Sequence, residues 1–235
     1  MNKPWMKRGA RGMLLAIVVV FPLIFFFGEW TSRRAQFDAK VKSAQLQVDH
    51  VSKAAIERST RIWNQYEQAL DAAGWTTLFD LARLEADTDM AQSKAIIQRS
   101  EAALDIVERE IEDTLRNMEQ RIRQMPVSEG VRARVLKDFN EGRRNNTGKT
   151  VVALYREMFS EYKHLIDLLS VREKWTVQNS ELAFHHDADA DLYTAIFEKI
   201  DSIQQRMDNL SEQGRVKVDD ALRDIKCREI PAPCL

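Results

Sequence analysis

Proline and glycine are scarce in this chain, which has five prolines and eight glycines among 235 residues. Proline interrupts a helix because it lacks a backbone N–H and clashes with the preceding turn. The prolines are Pro4, Pro22, Pro126, Pro231 and Pro233. They leave residues 23–125 and 127–230 free of proline, and both intervals are rich in helix-forming residues. The sequence therefore predicts long helices across most of its length.

A strong net charge is also lacking. The formal net charge is -1, although 30% of the residues are charged and 44% are hydrophobic. Such a balance produces no field that would attract nucleic acid, so we expect no nucleic-acid partner. The hydrophobic content is typical of a folded protein rather than a disordered one. About 200 residues follow the first apolar run, enough for one domain with a real core.

Residues arranged for catalysis are lacking as well. None of the serines, the two cysteines or the four histidines lies in a recognisable nucleophile motif. The segment Gly148-Lys149-Thr150 resembles the end of a phosphate-binding loop, but Arg143 occupies the position of its first glycine. We therefore predict no enzyme activity, no catalytic residue and no cofactor.

One acidic segment has the beginning of a calcium-loop pattern. Asp187, Asp189 and Asp191 alternate, and Glu198 falls at the twelfth position. Leu192 occupies the sixth position, where such a loop requires glycine. We interpret the aspartates as the acidic first turn of a helix, where they complement the helix dipole.

The adjacent pair His185 and His186 could bind a transition metal only if both rings faced one ion. Neighbouring side chains of an extended segment point to opposite sides, so the pair is poorly arranged for this. We interpret the histidines as part of a solvated loop and predict no metal site.

One run of the chain, Met13–Phe27, contains no charged or polar side chain. With Gly12 and Gly28 it spans seventeen residues, or roughly 26 Å of helix. This is the short end of the ~17–25 residues that a membrane-spanning helix needs. Its proline is tolerated in such helices. The anchor residues are Met13, Leu14, Leu15, Phe21, Pro22, Phe25, Phe26 and Phe27.

The charges around this run predict its orientation. Four basic residues and no acid precede it, whereas acids and bases mix after it. Because basic flanks stay in the cytoplasm, we predict a cytoplasmic N-terminus at 1–12 and a transmembrane signal-anchor at 13–30. An extracytoplasmic bundle at 31–226 and a tail at 227–235 follow. The predicted location is the inner (cytoplasmic) membrane, with the C-terminal domain in the periplasm.

A cleavable signal peptide would have the same basic start and apolar centre. It should end in a small-x-small site, and Gly28-Glu29-Trp30-Thr31-Ser32-Arg33 offers no good one. We therefore favour an uncleaved anchor over a cleaved one. A soluble protein that buries this segment is the least favoured alternative.

The two cysteines, Cys227 and Cys234, lie seven residues apart at the C-terminus. Outside the cytoplasm this spacing predicts a small disulfide loop. An intermolecular disulfide is the alternative. Zinc is disfavoured because two further ligands are missing.

Helical periodicity predicts several amphipathic segments. The first shows alternating four-three spacing, interrupted by the polar residues Arg58 and Gln65, at Phe37, Val41, Ala44, Val48, Val51, Ala55, Ile62 and Ala69. The second repeats every seven residues at Met90, Ile97, Leu104, Ile111, Met118 and Met125, and Asp87 is its expected N-cap. A shorter helix begins at Ser128 and is expected to end in an exposed polar loop over 141–148.

The next helix has its apolar residues at Val151, Tyr155, Met158, Tyr162, Leu165 and Leu169, with a second row at Val152, Phe159 and Ile166. We expect it to be the most buried helix. The final helix is predicted from about Asp187 to Lys226. Between them, the alternation around Asn179-Ser180 predicts a small hairpin or extended clip near 175–184.

The predicted fold class is all-α: a single transmembrane helix followed by an antiparallel bundle of about four long amphipathic helices with a small clip. A rod-like parallel coiled coil is the alternative. The plan is similar to the four-helix sensing domains of bacterial chemoreceptors, in architecture alone.

Two functions fit this plan. We favour a membrane-anchored envelope scaffold or protein-interaction module that contacts the lipid bilayer and a protein partner of the cell envelope. The alternative is a ligand-sensing bundle that signals through a partner protein. Self-association into a homo-oligomer stays open.

Overall fold

The computed structural model describes the backbone of residues 39–144 and 147–229 and the side chains of residues 46–144 and 148–213. The predicted anchor Met13–Phe27 and the side chains of Cys227 and Cys234 lie outside the described residues. Among the helices that are described, none is long and apolar enough to cross a membrane.

The described chain is mostly helical, with one small two-stranded sheet, so the predicted all-α bundle is confirmed. The helices are α1 (Ala39–Ala73), α2 (Leu81–Ala86), α3 (Ala91–Arg123), α4 (Glu129–Arg144), α5 (Thr147–Leu169) and α6 (Asp187–Glu229). The strands are β1 (Trp175–Gln178) and β2 (Glu181–Phe184), and 3-10 turns cover Trp75–Thr77 and Arg172–Lys174. Five of these helices have sixteen residues or more, where the sequence predicted about four long ones.

The chain divides into two compact units. The described part of the first unit is Asn64–Val107 and Val151–Asn209. The described part of the second unit covers residues 39–63, 108–144, 147–150 and 210–229. Helices α1, α3, α5 and α6 therefore contribute residues to both units.

In the first unit, ion pairs show that α3 and α5 are antiparallel. Moving up α3, the pairs are Lys94–Asp167 at 4.0 Å, Glu101–Lys163 at 2.6 Å and Asp105–Arg156 at 2.8 Å, so the α5 numbers fall as the α3 numbers rise. Similarly, Glu157 pairs with Arg206 of α6 and Glu161 with Lys199. The α5 and α6 helices are therefore antiparallel as well.

The predicted heptads of α3 and α5 are confirmed. Every predicted position of these two helices is buried, including the six seven-spaced residues from Met90 to Met125 and both rows of α5. In α5 two further leucines, Leu154 and Leu168, are also buried. A helix with this little exposed apolar surface contacts neighbours on more than one side.

The predicted seam of α1 is only partly right. Val48, Val51, Ala55 and Ile62 are buried as expected, but Ala69 is half-buried. A second row, one residue further along, is buried along its whole length: Asp49, Ser52, Ile56, Ser59, Trp63, Tyr66, Leu70 and Ala73. Polar residues interrupt its apolar pattern, so hydrophobic periodicity did not reveal it.

The exposed loop expected over 141–148 was wrong for most of its length. Helix α4 continues to Arg144 and α5 begins at Thr147. In the second unit, Arg143 bridges Glu112 and Glu119 of α3, and Lys149 pairs with Glu112 at 3.0 Å. These ion pairs and the helix-forming arginines help to offset the cost of about 1 kcal/mol for Gly142 within a helix.

The predicted hairpin is confirmed. Strands β1 and β2 pair antiparallel, with Trp175 opposite Phe184 and Val177 opposite Leu182. The two-residue turn consists of Asn179 and Ser180, whose φ values of 52° and 61° are those that such a tight turn requires. The Trp175 indole donates a hydrogen bond to the Leu169 carbonyl at 2.8 Å, so the hairpin is fixed to the end of α5.

Candidate functional site

Nine aromatic rings of the first unit contact one another in an unbroken series. Their centroids lie 4.7 to 6.3 Å apart, and most pairs meet edge to face or tilted, as aromatic quadrupoles prefer. In order they are Tyr66, Tyr155, Phe159, Trp75, Tyr162, Phe79, Phe197, Tyr193 and Phe184. The series connects α1, α5, the α1–α3 connection, α6 and the hairpin.

Four rings of this series are deeply buried. Tyr66, Tyr155, Phe159 and Tyr162 are almost completely shielded from solvent. Burial raises the pKa of each of these tyrosines above its ordinary value. The phenols therefore stay neutral at physiological pH, and the rings act as packing groups.

Four other rings of the series reach the surface. Trp75, Phe79, Phe184 and Tyr193 are only half-buried, and Leu192, which precedes Tyr193 in α6, is 49% exposed. We call these five residues the aromatic surface. Burial raises the pKa of Tyr193 to about 12, so this surface carries no charge of its own near neutral pH.

A polar network beside Phe79 fixes the α1–α3 connection. The Asp87 carboxylate accepts hydrogen bonds from the Ser93 hydroxyl and backbone N–H, both at 2.8 Å, and from the Gln92 N–H. Arg83 contacts the same carboxylate at 3.4 Å and donates to the carbonyls of Thr77 and Leu78. The predicted N-cap position of Asp87 was wrong, because α3 begins at Ala91 and Asp87 ends α2. Its carboxylate nevertheless accepts hydrogen bonds from backbone N–H groups in the first turn of α3.

Opposing effects set the pKa values of the two charged groups in this network. Burial alone would raise the pKa of the Asp87 carboxyl, but the hydrogen bonds from Ser93 and Gln92 and the Arg83 charge together lower it. Burial lowers the pKa of Arg83, against the raising effect of its acidic neighbours. Asp87 is therefore an anion that the folded chain stabilises.

A second arginine holds the hairpin base against α2. Arg172 donates to the carbonyls of Leu84 and Glu85, the latter at 2.6 Å, and its guanidinium lies 4.3 Å from the centre of the Trp175 ring. Lys174 pairs with Asp189 in the first turn of α6 at 2.7 Å. The connections that carry the aromatic surface are thereby tied together.

These connections are strongly acidic. Residues 74–90 and 170–191 contain nine acidic and three basic residues, a formal charge of −6 with histidine neutral. The acids are Asp80, Glu85, Asp87, Asp89, Glu173, Glu181, Asp187, Asp189 and Asp191. Each of the three bases, Arg83, Arg172 and Lys174, already contacts a carboxylate or backbone carbonyls of the same region. The net charge of the connections that carry the aromatic surface is therefore negative.

The second unit contains a different feature, a cleft of about 460 Å³ between α1 and the end of α3. Its polar lining includes Gln47, His50, Arg121 and Gln124. Its apolar lining comes from Leu46, Val51, Met125 and Pro126. A cleft with one arginine and two side-chain amides could hold a small anion-containing ligand.

The residues considered for metal binding lie in the first unit. Asp187 and Asp189 lie in the first turn of α6, and Asp189 forms an ion pair with Lys174. His185, His186 and Glu198 are exposed. No group of three or more histidine, cysteine, aspartate or glutamate residues within the described part of the chain is close enough to hold a metal ion.

Sequence reasoning missed the aromatic surface. Trp75 and Phe79 lie between the first two predicted amphipathic segments, and large aromatic residues are unusual in a solvated connection. The position of these two aromatic residues was the one signal in the sequence that pointed to the aromatic surface. It could not identify the partner rings, because Phe159 and Tyr162 are some eighty residues away in the chain.

Comparisons of this chain with protein-family models, with curated proteins and with solved structures found no match.

Proposed function

We propose that this protein is a single-pass, membrane-anchored envelope protein whose extracytoplasmic helical bundle acts as a scaffold or protein-interaction module, without catalysis of its own. The observation that carries the proposal is the aromatic surface. Aromatic residues are enriched at the energetic centres of protein interfaces, because they bury a large area with little loss of side-chain freedom.

The rigidity of this surface supports the same proposal. Trp75 and Phe79 lie on a connection that Arg83 and Asp87 fix, and Phe184 lies on a hairpin that Arg172 and Lys174 fix. A surface that is ordered before binding loses little conformational entropy when a partner docks. Ordinary loops at the end of a bundle would not need this many internal contacts.

The anchor and the compartment belong to the proposal. Residues 13–30 would span the inner membrane, residues 31–226 would lie in the periplasm, and Cys227 and Cys234 would form a disulfide there. A reporter enzyme fused after Leu235 should be active only outside the cytoplasm. Activity in the cytosol alone would contradict both the anchor orientation and the disulfide.

The C-terminal tail offers a second test of the compartment. Mass spectrometry of the non-reduced C-terminal peptide from membrane-isolated protein should show Cys227 and Cys234 joined. Two free thiols would contradict the disulfide, and a peptide linked to another chain would show that the bridge is intermolecular.

Site-specific photocrosslinking tests the interaction itself. A photoreactive amino acid at Leu192 should crosslink the full chain to a distinct protein in intact cells. Ile106 provides the matched control, because it is a 51% exposed hydrophobic residue of the same unit that lies on α3, away from the acidic connections. Equal capture from both positions, or from neither, would contradict a docking role for the aromatic surface.

The cleft of the second unit favours one alternative, a ligand-sensing bundle that signals through a partner protein. Arg121 in that cleft is the cationic group that such a ligand would need. Thermal unfolding of the full chain with a panel of small carboxylates and phosphates tests it. A rise in unfolding temperature that Arg121→Ala abolishes would favour sensing over the scaffold.

A further inference from the structure

We propose that the aromatic surface docks a cationic, amphipathic polypeptide segment, one that presents lysine or arginine beside apolar side chains. This inference rests on the proposed function and names the chemistry of the partner. It is argued from charge complementarity around the five residues of the aromatic surface.

The negative charge beside the aromatic surface is available to a partner. Glu85, Glu173, Asp187 and Asp191 are exposed. The bases of these connections are turned inward, since Arg83, Arg172 and Lys174 contact Asp87, the α2 carbonyls and Asp189. A partner with basic side chains would therefore meet carboxylates without having to displace arginine or lysine from them.

The rings and the carboxylates favour the same class of partner. Aromatic faces attract lysine and arginine side chains, and Arg172 already lies over the Trp175 ring in this unit. The long alkyl stems of lysine and arginine can also cover half-buried rings while their charged ends reach carboxylates. An acidic segment or an anionic membrane surface would be repelled.

Because Leu192 is an exposed apolar residue, we expect the partner to present apolar side chains as well. Leu192 and the half-buried rings of Phe184 and Tyr193 offer apolar area. A partner that bound through charged side chains alone would leave this area in contact with water. A purely polar basic segment would gain only weak, salt-screened attraction. The combination is therefore best matched by basic and apolar residues alternating along one helix face or strand.

The test uses the full chain in lipid nanodiscs of neutral lipid and two synthetic peptides. One peptide is amphipathic and contains lysine, leucine and tryptophan; the second replaces every lysine by glutamate. We expect the lysine peptide to bind at micromolar concentration and the glutamate peptide to bind at least tenfold more weakly. Binding of the lysine peptide should weaken as salt is raised, because exposed charges are screened.

Matched variants locate the binding. The double variant Glu85→Gln and Glu173→Gln should weaken binding of the lysine peptide about tenfold. The control, Glu57→Gln with Glu129→Gln, removes two exposed acids of the second unit and should leave binding unchanged. Leu192→Ser should weaken binding several-fold, whereas Ile106→Ser should not.

Several outcomes would overturn the inference. The first two are equal binding of the lysine and glutamate peptides, and equal weakening of binding by the two double variants. The third is that the protein binds anionic-lipid vesicles in preference to the lysine peptide. The fourth is that the protein forms a concentration-dependent dimer that the Leu192→Ser variant does not form. Crosslinking from Leu192 that captures a protein but does not respond to Glu85→Gln and Glu173→Gln would leave the proposed function intact and reject this partner chemistry.

Discussion

The two units of this chain differ in what fills their interiors. The first is organised around the nine-ring aromatic series, and its buried serines have partners: Ser93 bonds Asp87, and Ser100 bonds the Ile96 carbonyl at 2.9 Å. In the second unit the buried hydroxyls of Ser52 and Ser59 have no hydrogen-bond partner among the described residues.

This difference indicates which of the two units is packed in a single rigid arrangement. Ring pairs with defined geometry specify one packing. Buried hydroxyls without partners cost free energy and specify less. The unit with the more specific interior is also the one that carries the aromatic surface.

The largest expected effect tests the aromatic interior directly. Phe159 and Phe139 are both fully buried phenylalanines, one in each unit. Replacing either by alanine should lower the free energy of unfolding by about 3–5 kcal/mol. Because Phe159 also contacts the rings of Trp75 and Tyr155, its loss should be larger by about 1 kcal/mol. Urea denaturation followed by tryptophan fluorescence measures both, and equal losses would contradict a special role of the ring series.

The next effect tests the polar network that holds the surface. Asp87→Asn should lower the free energy of unfolding by about 2 kcal/mol at neutral pH, because Asp87 accepts charge-assisted hydrogen bonds from Ser93 and Gln92. The pKa of Asp87 is lowered in the folded chain, so its stabilisation is complete above the ordinary value of 3.8. It is lost as the pH falls through the lower folded-state pKa.

The pH dependence supplies the check on this network. Denaturation curves at several pH values should show the Asp87→Asn variant and the natural chain converging in acid. Asp89→Asn is the control, since its exposed carboxylate accepts a bond from the Ala91 N–H and from no other group of the described residues. A constant difference between Asp87→Asn and the natural chain down to pH 2 would contradict the assigned pKa direction.

A smaller effect of opposite sign tests the interior of the second unit. Ser59→Ala should raise the free energy of unfolding by about 1 kcal/mol, because it removes a buried hydroxyl without a partner among the described residues. Ser100→Ala, which removes a bonded hydroxyl, should not raise it. Differential scanning calorimetry of both variants separates the cases, and a destabilising Ser59→Ala would show that its hydroxyl is bonded.

The smallest effect concerns the ion pairs of the second unit. Glu112→Gln should lower the free energy of unfolding by about 0.5–1 kcal/mol. Lys149 lowers the pKa of Glu112 by hydrogen bonding and charge, against the raising effect of burial, and Arg143 adds to the lowering. Because salt screens these charges, the difference should shrink in 1 M NaCl relative to low salt. A loss that does not depend on salt would indicate packing rather than charge.

Much of the helical architecture could be predicted from the sequence. The seven-residue repeat of α3, the two buried rows of α5 and the turn at Asn179-Ser180 follow from local rules, namely helix period and turn chemistry. Gly74 follows the last residue of α1 with φ 92°, a backbone conformation that glycine adopts readily. The helical stretch across 141–144 was missed, because its stabilising partners Glu112 and Glu119 lie on another helix.

The sequence by itself determined that this chain forms long amphipathic helices and a small hairpin, because those depend on neighbours within a few residues. Only the tertiary structure decided that Ser52 and Ser59 are buried, that Arg83 and Asp87 form a network, and that rings from distant segments meet in series. Those features depend on which helix faces are apposed, and residues as distant as Trp75 and Phe159 come together only when the fold is complete.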